Sequence, residues 1–295
     1  SGGSSVVTTD EGNIPGKGSQ HETSATQPFG AATDGSFKME LHGADATVSI
    51  GGTELKVENG KLYHNGVEVT ADAAVSVPGG AHGTLTVTGM DADGTVHYTY
   101  TLTAPVDATG NASNRPGEGD AGRGEAVHAD AFDVSITTTG GTATGQITVD
   151  ALDDAPVLST LDTTQTTVAD GEAALTGTLS FTPGADAEGA QVTVEVEGQT
   201  FTGTKGENGW TFTGGSDGSS FQLNGTAFTY TRPSSNTTDG RNDTIILKVT
   251  VTDGDGDTAE QSVTVNTVAG PLFNDAPSGG SSVVTTDEGN IPGKG

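Results

Sequence analysis

The sequence predicts an all-β protein made of two tandem β-sandwich domains joined end to end. Three observations carry this. Apolar residues recur in short runs that alternate with polar ones at a period of two, the pattern of strands with one buried face. Gly, Asn and Asp separate the runs, as tight hairpins require, and Gly alone accounts for 46 of 295 residues. An Asp-Ala-Pro motif follows a strand-like run twice, in Leu152-Asp153-Asp154-Ala155-Pro156-Val157-Leu158 and in Phe273-Asn274-Asp275-Ala276-Pro277.

Taken in order, the strand signals of the first half are ATVSIGG (46–52), TELKVENG (53–60), GTLTVTGM (83–90), VHYTYTLTA (96–104) and AFDVSITTT (131–139). Those of the second half are ALTGTLSFTP (174–183), QVTVEVEGQT (191–200), GWTFTG (209–214), AFTYTR (227–232), TIILKVTVTD (244–253) and TAEQSVTVNTV (258–268). No segment has a helical period. Residues 106–128 are rich in Gly, Asn, Asp, Glu and Arg and read as a long exposed loop. Trp210, Phe212, Phe228, Tyr230, Tyr98 and Tyr100 alternate within their runs and read first as core.

The first 18 residues, SGGSSVVTTDEGNIPGKG, recur without change as residues 278–295. The natural reading is a tandem array with a period of 277 residues, 278 minus 1, sampled once with a short overlap. Domain A then spans 1–155 and domain B 156–277, with joints inside 153–165 and 269–280, and 278–295 opens the next repeat. Neighbouring identical repeats in the same chain are the expected partners.

Charge narrows the function. With 39 acidic and 11 basic residues the formal net charge is -28. Nucleic acid requires a basic footprint, and anionic membrane surfaces select basic segments. Neither is expected here. So much like charge opposes a compact state unless cations bind it. There is no cysteine to staple the fold. No apolar run reaches membrane-spanning length. No signal peptide opens the chain, as expected of an internal piece or of export without an N-terminal signal.

Asp253-Gly254-Asp255-Gly256-Asp257-Thr258 is the sharpest motif. Three carboxylates at a spacing of two supply hard oxygen ligands on a backbone that can curl around Ca2+. A solvated Asp-Gly hairpin turn is the alternative; the clustering of like charges, which a divalent cation would relieve, favours calcium. An EF-hand is excluded, because position 6 is Thr258 and position 12 is Thr264. If 244–253 and 258–268 are the last two strands, their hairpin lies at the end of domain B that faces domain A. Asp253, Asp255 and Asp257 would then meet Asp153 and Asp154 of the linker, with Asp170 and Glu172 entering nearby. The Thr-rich stretch 159–167 would be a free linker. The matching hairpin of domain A, Thr137 to Thr142, has no carboxylate. The joint preceding a domain A would keep Asn274, Asp275 and the next Asp10–Glu11 pair.

Other motifs are weaker. Gly214-Gly215-Ser216-Asp217-Gly218 matches a nucleophile elbow, but that elbow needs a strand-to-helix turn and a histidine base, and all six His lie at or before residue 128. His42, His64, His82 and His97 lack paired zinc-site spacing. Asp186 and Glu188 read as a peripheral acidic loop. No enzymatic activity is expected.

The segments GTLTVTGMDADGTVHYTYTLTA, AFDVSITTTGGTATGQITVDALDDAP, ALTGTLSFTPGADAEG and VTVTDGDGDTAEQSVTV resemble the VCBS-type tandem repeats of large RTX-type adhesins, and the linkers resemble the Asn-Asp-Ala-Pro joints of cadherin-like domains. The resemblance covers nearly the whole chain. It implies immunoglobulin-like (cadherin-like) sandwiches, calcium at the joints, type I secretion to a bacterial cell surface, and a role as an extender that projects a distal adhesive domain in cell adhesion and biofilm formation. The alternative function is a calcium-dependent glycan- or surface-binding module acting through avidity.

Overall fold

The computed structural model describes residues 3–19, 30–106, 123–169, 173–216, 218–232 and 243–269, and all side chains of these except those of 123–127. The first domain is built from β1 (Gly3–Asp10), β2 (Ala32–Lys38), β3 (Ala46–Ile50), β4 (Thr53–Glu58), β5 (Lys61–His64), β6 (Val67–Glu68), β7 (Val75–Val77), β8 (Gly83–Met90), β9 (Thr95–Leu102), β10 (Arg123–Thr138) and β11 (Gly141–Asp154). The second is built from β12 (Val157–Thr163), β13 (Thr167–Ala169), β14 (Ala174–Thr182), β15 (Gln191–Val196), β16 (Gln199–Gly206), β17 (Gly209–Gly214), β18 (Ser220–Asn224), β19 (Ala227–Thr231), β20 (Thr244–Thr252) and β21 (Thr258–Val268).

Each domain is a sandwich of two sheets. In the first, a seven-stranded sheet of order β1-β11-β10-β3-β4-β5-β6 faces a four-stranded sheet of order β2-β9-β8-β7. In the second, a four-stranded sheet β12-β14-β19-β18 faces a six-stranded sheet β13-β21-β20-β15-β16-β17. The period-two pattern sets which residues go inside. Along β9, Val96, Tyr98, Tyr100 and Leu102 are buried while His97, Thr99 and Thr101 turn outward. They meet Val48, Ile50, Leu55, Leu85, Phe132 and Val149 in one core. Val192, Val194, Phe201, Tyr230, Leu247, Val249 and Val251 form the other. Two glycines are dictated by this packing: a Cβ on Gly35 would strike the Tyr98 ring at 2.4 Å, and one on Gly177 would strike the Asp162 carbonyl at 2.0 Å.

The opening strands fix the poles. β1 runs parallel to β11 for its whole length, from Gly3 opposite Gly145 to Asp10 opposite Leu152. In domain B the opening segment is shared between sheets. β12 pairs with β14, and β13 then crosses over to lie parallel to the end of β21, Ala169 opposite Val268. Two sheets with a first strand that aligns with the last make the chain an all-β tandem of immunoglobulin-like sandwiches.

Two expectations about loops need correction. Residues 159–167 are not a free linker: Val157–Thr163 is paired with β14, and only Ala155 and Pro156, both buried, join the sandwiches. The expected loop 106–128 does not reach to 128, and its residues 107–122 lie outside the described residues. Strand β10 already begins at Arg123, pairing with Asp154, and Val106 is buried. The low apolar content of 123–128 concealed a strand that pairs with β11.

Candidate metal centre

Three segments deliver carboxylates to the joint. The first is the end of β1. Because β1 stays in register with β11, Asp10 and Glu11 emerge beside Leu152 and Asp153. Asp10 caps a single 3₁₀ turn, Glu11–Asn13, its Oδ1 accepting from the Gly12 amide at 2.9 Å. This corrects the expected placement of the Asp10–Glu11 pair at the joint preceding domain A. It serves the joint that follows domain A, since a parallel first strand must end at the pole where the last strand ends.

The second segment is the end of β11. Asp153 and Asp154 are both fully buried, yet adjacent positions on a strand face opposite ways and take different roles. Asp154 is a clasp. Its Oδ2 accepts from the Ser19 amide and the Ala185 amide, each at 2.8 Å, and its Oδ1 accepts from the Ser19 hydroxyl at 2.5 Å. It thereby ties residues of both domains to the end of β11. Asp153 instead has neither carboxylate oxygen hydrogen-bonded.

The third segment belongs to domain B and has two parts. The β14–β15 loop carries Asp186, and the β20–β21 hairpin carries Asp253, Asp255 and Asp257. The Gly254 amide donates to the Asp186 carbonyl at 2.7 Å and locks them together. A Cβ on Gly254 would lie 2.2 Å from the Glu188 carbonyl oxygen, so the position admits only glycine. The hairpin closes on Asp253, whose Oδ1 accepts from the amides of Gly256 and Asp257 at 3.0 and 2.7 Å. The hairpin is not simply a solvent-facing tip. Asp253 is buried, and Asp255 and Asp257 are half-buried.

Two carboxylate groups result. Glu11, Asp153 and Asp186 bring one oxygen each to within 4.8 Å of one another, and so do Asp253, Asp255 and Asp257. Asp153 feels the charges of Asp255 and Asp257, which places it between the groups. Buried oxygens without a hydrogen-bond partner include Oε2 of Glu11, both of Asp153, Oδ2 of Asp253, Oδ1 of Asp255 and Oδ2 of Asp257. Such atoms carry a desolvation cost unless something positive meets them.

The electrostatics agree. Burial, then Asp255, Asp257, Asp186 and Asp154, push the Asp153 carboxyl up to about 8. Burial also raises Glu11; the Val106 amide donating to its Oε1 at 2.6 Å opposes this, while Asp186, Asp153 and Asp154 reinforce it. Burial and then the neighbouring Asp255 raise Asp253. Asp257 is pushed up to about 6 by burial and by Asp255. A constellation of acids that resist ionisation in isolation is one that a multivalent cation would stabilise in ionised form. The donors are all hard carboxylate oxygens, with neither His nor Cys among them, which suits Ca2+ rather than zinc.

Asp170, Glu172, Asn274 and Asp275 lie outside the described residues. Ala169, just before Asp170, sits opposite Val268, at the far end of β21 from the hairpin. The domain A hairpin at Thr139 and Gly140 carries no carboxylate. Sequence reading set Asp186 aside as peripheral; the signal that could have found it is the Gly-rich PGADAEG turn, which allows the loop to meet the Gly254 hairpin. Of the aromatic residues expected in the cores, Tyr98, Tyr100, Phe228 and Tyr230 are buried, while Trp210 and Phe212 on the edge strand β17 are half-buried.

No family model matches the chain, and no curated protein matches it. Among solved structures it is similar to the titin domains Z1Z2 in complex with telethonin, at 11% identity over 90% of this chain and 91% of that one, with a TM-score of 0.39. It is also similar to the protocadherin gammaB7 EC3-6 cis-dimer, at 10% identity over 90% of this chain and 46% of that one, TM-score 0.27. A third is the protocadherin GammaB4 extracellular domain, at 13% identity over 90% and 31%, TM-score 0.26. Among the described residues no helix is long and apolar enough to cross a membrane.

Proposed function

We propose that this chain is an extender segment of a secreted bacterial surface adhesin, stiffened where its two sandwiches meet by bound calcium. The observation that carries the reading is the largely buried carboxylate constellation at the joint, assembled from Glu11 and Asp153 of domain A and Asp186 of domain B, with the Asp253–Asp257 hairpin beside it. A cation held there contacts both domains at once. It replaces mutual repulsion with a shared coordination shell, and linked domains that would otherwise swing become one rod. Asp154 and the short Ala155–Pro156 linker already bring the domains close; the ion fixes their angle.

The function is mechanical and non-catalytic. Recurrence of residues 1–18 at 278–295 suits an array in which reach grows with copy number. Export by type I secretion and projection of a distal adhesive domain in cell adhesion and biofilm formation belong to the same reading. Small-angle scattering tests it directly: the particle should be longer and narrower in calcium than in chelator. Equal maximum dimensions in both buffers would refute the mechanical role, and calorimetry showing no heat of calcium binding would refute the site.

A further inference from the structure

At the joint between the two sandwiches, domain B docks through two elements. The β14–β15 loop sends Ala185 into the core of domain A, where it is buried, and the β20–β21 hairpin brings its carboxylates beside it. Domain A owns the same two elements. Its strand order β1-β11-β10-β3-β4 matches β13-β21-β20-β15-β16, and β2-β9-β8 matches β14-β19-β18. The β2–β3 loop and the β10–β11 hairpin of domain A therefore correspond to the docking loop and hairpin of domain B. They stand at the pole away from the joint, because β11 starts at Gly141 and reaches the joint only at Asp154.

Their chemistry differs. In place of Asp253, Asp255 and Asp257 the domain A hairpin turns through Thr138, Thr139 and Gly140. Between hairpin and loop runs a groove of about 760 Å³, lined by Phe37, Met39, Leu41, Val134, Ile136 and Ile147. Phe37, Leu41 and Ile136 are half-buried against the core, so apolar surface remains in contact with water there. Lys38 and Glu40 are the charged residues of the lining, one of each sign and both exposed. Among the described residues neither carboxylate group lies there. Apolar surface gathered in a concave site suits another protein surface rather than an ion.

Sequence recurrence supplies the occupant. Gly3, Ser4 and Ser5 form one rim of the groove, and residues 1–18 recur as 278–295, so in a tandem array the strand of this rim follows the β21 of a domain B. Gly280 is the counterpart of Gly3, and 280 minus 268 leaves 12 steps from Val268. They span at most about 40 Å, which keeps the end of β21 within reach of the groove. β21 runs from the Asp253–Asp257 hairpin to Val268, which is 53% exposed at the pole of domain B away from the acidic joint. We propose that the Phe37–Leu41–Ile136 groove seats the Val268 end of domain B of the adjoining repeat, so that the array alternates two kinds of joint, one held by calcium and one by apolar contact without a metal. This rests on the reading of the chain as an extender repeat, and gives that repeat's second joint a device of its own. Leu41 there takes the part that Ala185 plays at the first. Tethering supplies an effective concentration on the order of millimolar, so a modest apolar contact suffices within one chain.

The chain has no cysteine, so single introduced thiols read the seat by their rate of alkylation. The test uses two repeats in one chain, residues 1–277 followed by 1–295. Ala44→Cys on the β2–β3 loop and Thr139→Cys on the hairpin are both at exposed positions. Each is placed either in the first repeat, which has no domain B before it in this chain, or in the second, which has one. In the second repeat they should react at least severalfold more slowly, in calcium and in chelator alike. Glu54→Cys, on the outer face of β4, should react equally in both repeats. Val268→Asp in the first repeat, or Leu41→Asp in the second, should restore fast labelling. Equal rates in the two repeats at both positions, protection that is lost in chelator, or protection unmoved by Val268→Asp would overturn the proposal. Should Leu41→Asp perturb domain A, the exposed Val268 on the other domain still decides it. Scattering unchanged by calcium, together with protection at both cysteines, would sink the calcium joint and support the apolar one.

Discussion

Glu11 and Asp153 meet at one pole of domain A with carboxylate oxygens within 4.8 Å, although one follows the first strand of that domain and the other lies at the end of its last. Glu11 is anchored on one oxygen by the Val106 amide and presents the other, unpartnered, to the cluster. Repulsion between two such groups favours separation; a shared cation favours the arrangement seen.

Replacing Glu11 by Gln should therefore act with opposite sign in two buffers. In chelator it removes a carboxyl that must take up a proton or bear a buried charge in order to fold, and keeps an acceptor for Val106. Relief of about 1 kcal/mol would raise the melting temperature by roughly 2–4 °C for a chain of this size. In saturating calcium it removes a ligand and should lower the melting temperature. Melting curves of the variant and the native protein in both buffers check this; a shift of one sign in both would mean that Glu11 is purely structural.

Asp154→Ala should behave differently. Its hydrogen bonds to Ser19 and Ala185 hold the joint without an ion, and bonds to a charged acceptor contribute about 1.5–3 kcal/mol each. We expect a similar loss of stability in calcium and in chelator, with the calcium stoichiometry unchanged by titration calorimetry.

Gly254→Ala should weaken calcium binding by roughly tenfold or more, about 1.4 kcal/mol. A Cβ there would collide with the Glu188 carbonyl and push the hairpin off the Asp186 loop, separating ligands that the Gly254 to Asp186 bond now holds together. Native affinity in this variant would mean that the hairpin and the loop bind independently.

In chelator, stability should fall as pH rises from about 5 to 8. Asp153 is held up to about 8 and Asp257 to about 6, against the ordinary 3.8 expected on unfolding. In that window the folded state holds protons that the unfolded chain has released, so stability declines as pH increases. Calcium should flatten the dependence by replacing those protons, and its binding near neutral pH should release them. Calorimetry in buffers of different ionisation enthalpy measures the release.

At the other end of domain B, the buried Arg232 forms a part-buried ion pair with Glu197, Nη2 to Oε1 at 2.7 Å, next to the Tyr230 hydroxyl that donates to the same carboxylate. Arg232→Ala should cost about 1.5–3 kcal/mol, because the charge-assisted bonds that the buried guanidinium makes to Glu197 are lost. The loss should be equal with and without calcium, as Glu197 follows the end of β15 that lies away from the Asp253 hairpin. Urea denaturation in both buffers checks it.

The sequence by itself determined the all-β class, since period-two alternation such as Val96, Tyr98, Tyr100 and Leu102 has one physical reading. It also singled out Asp253, Asp255 and Asp257 as a crowded acidic group, because three carboxylates at a spacing of two repel wherever they are placed. What it could not determine was which distant segments share a pole. That depends on strand direction, and the alternation of β1 is the same whether it runs parallel or antiparallel to β11. Only the tertiary structure decided that β1 is parallel, which carries Glu11 to the joint after domain A rather than the one before it. Likewise Asp153 and Asp154 are chemically identical neighbours; the pleat turns Asp154 toward the Ser19 and Ala185 amides and Asp153 into the acidic cluster, so that Asp154 holds the fold while the oxygens of Asp153 have no hydrogen-bond partner.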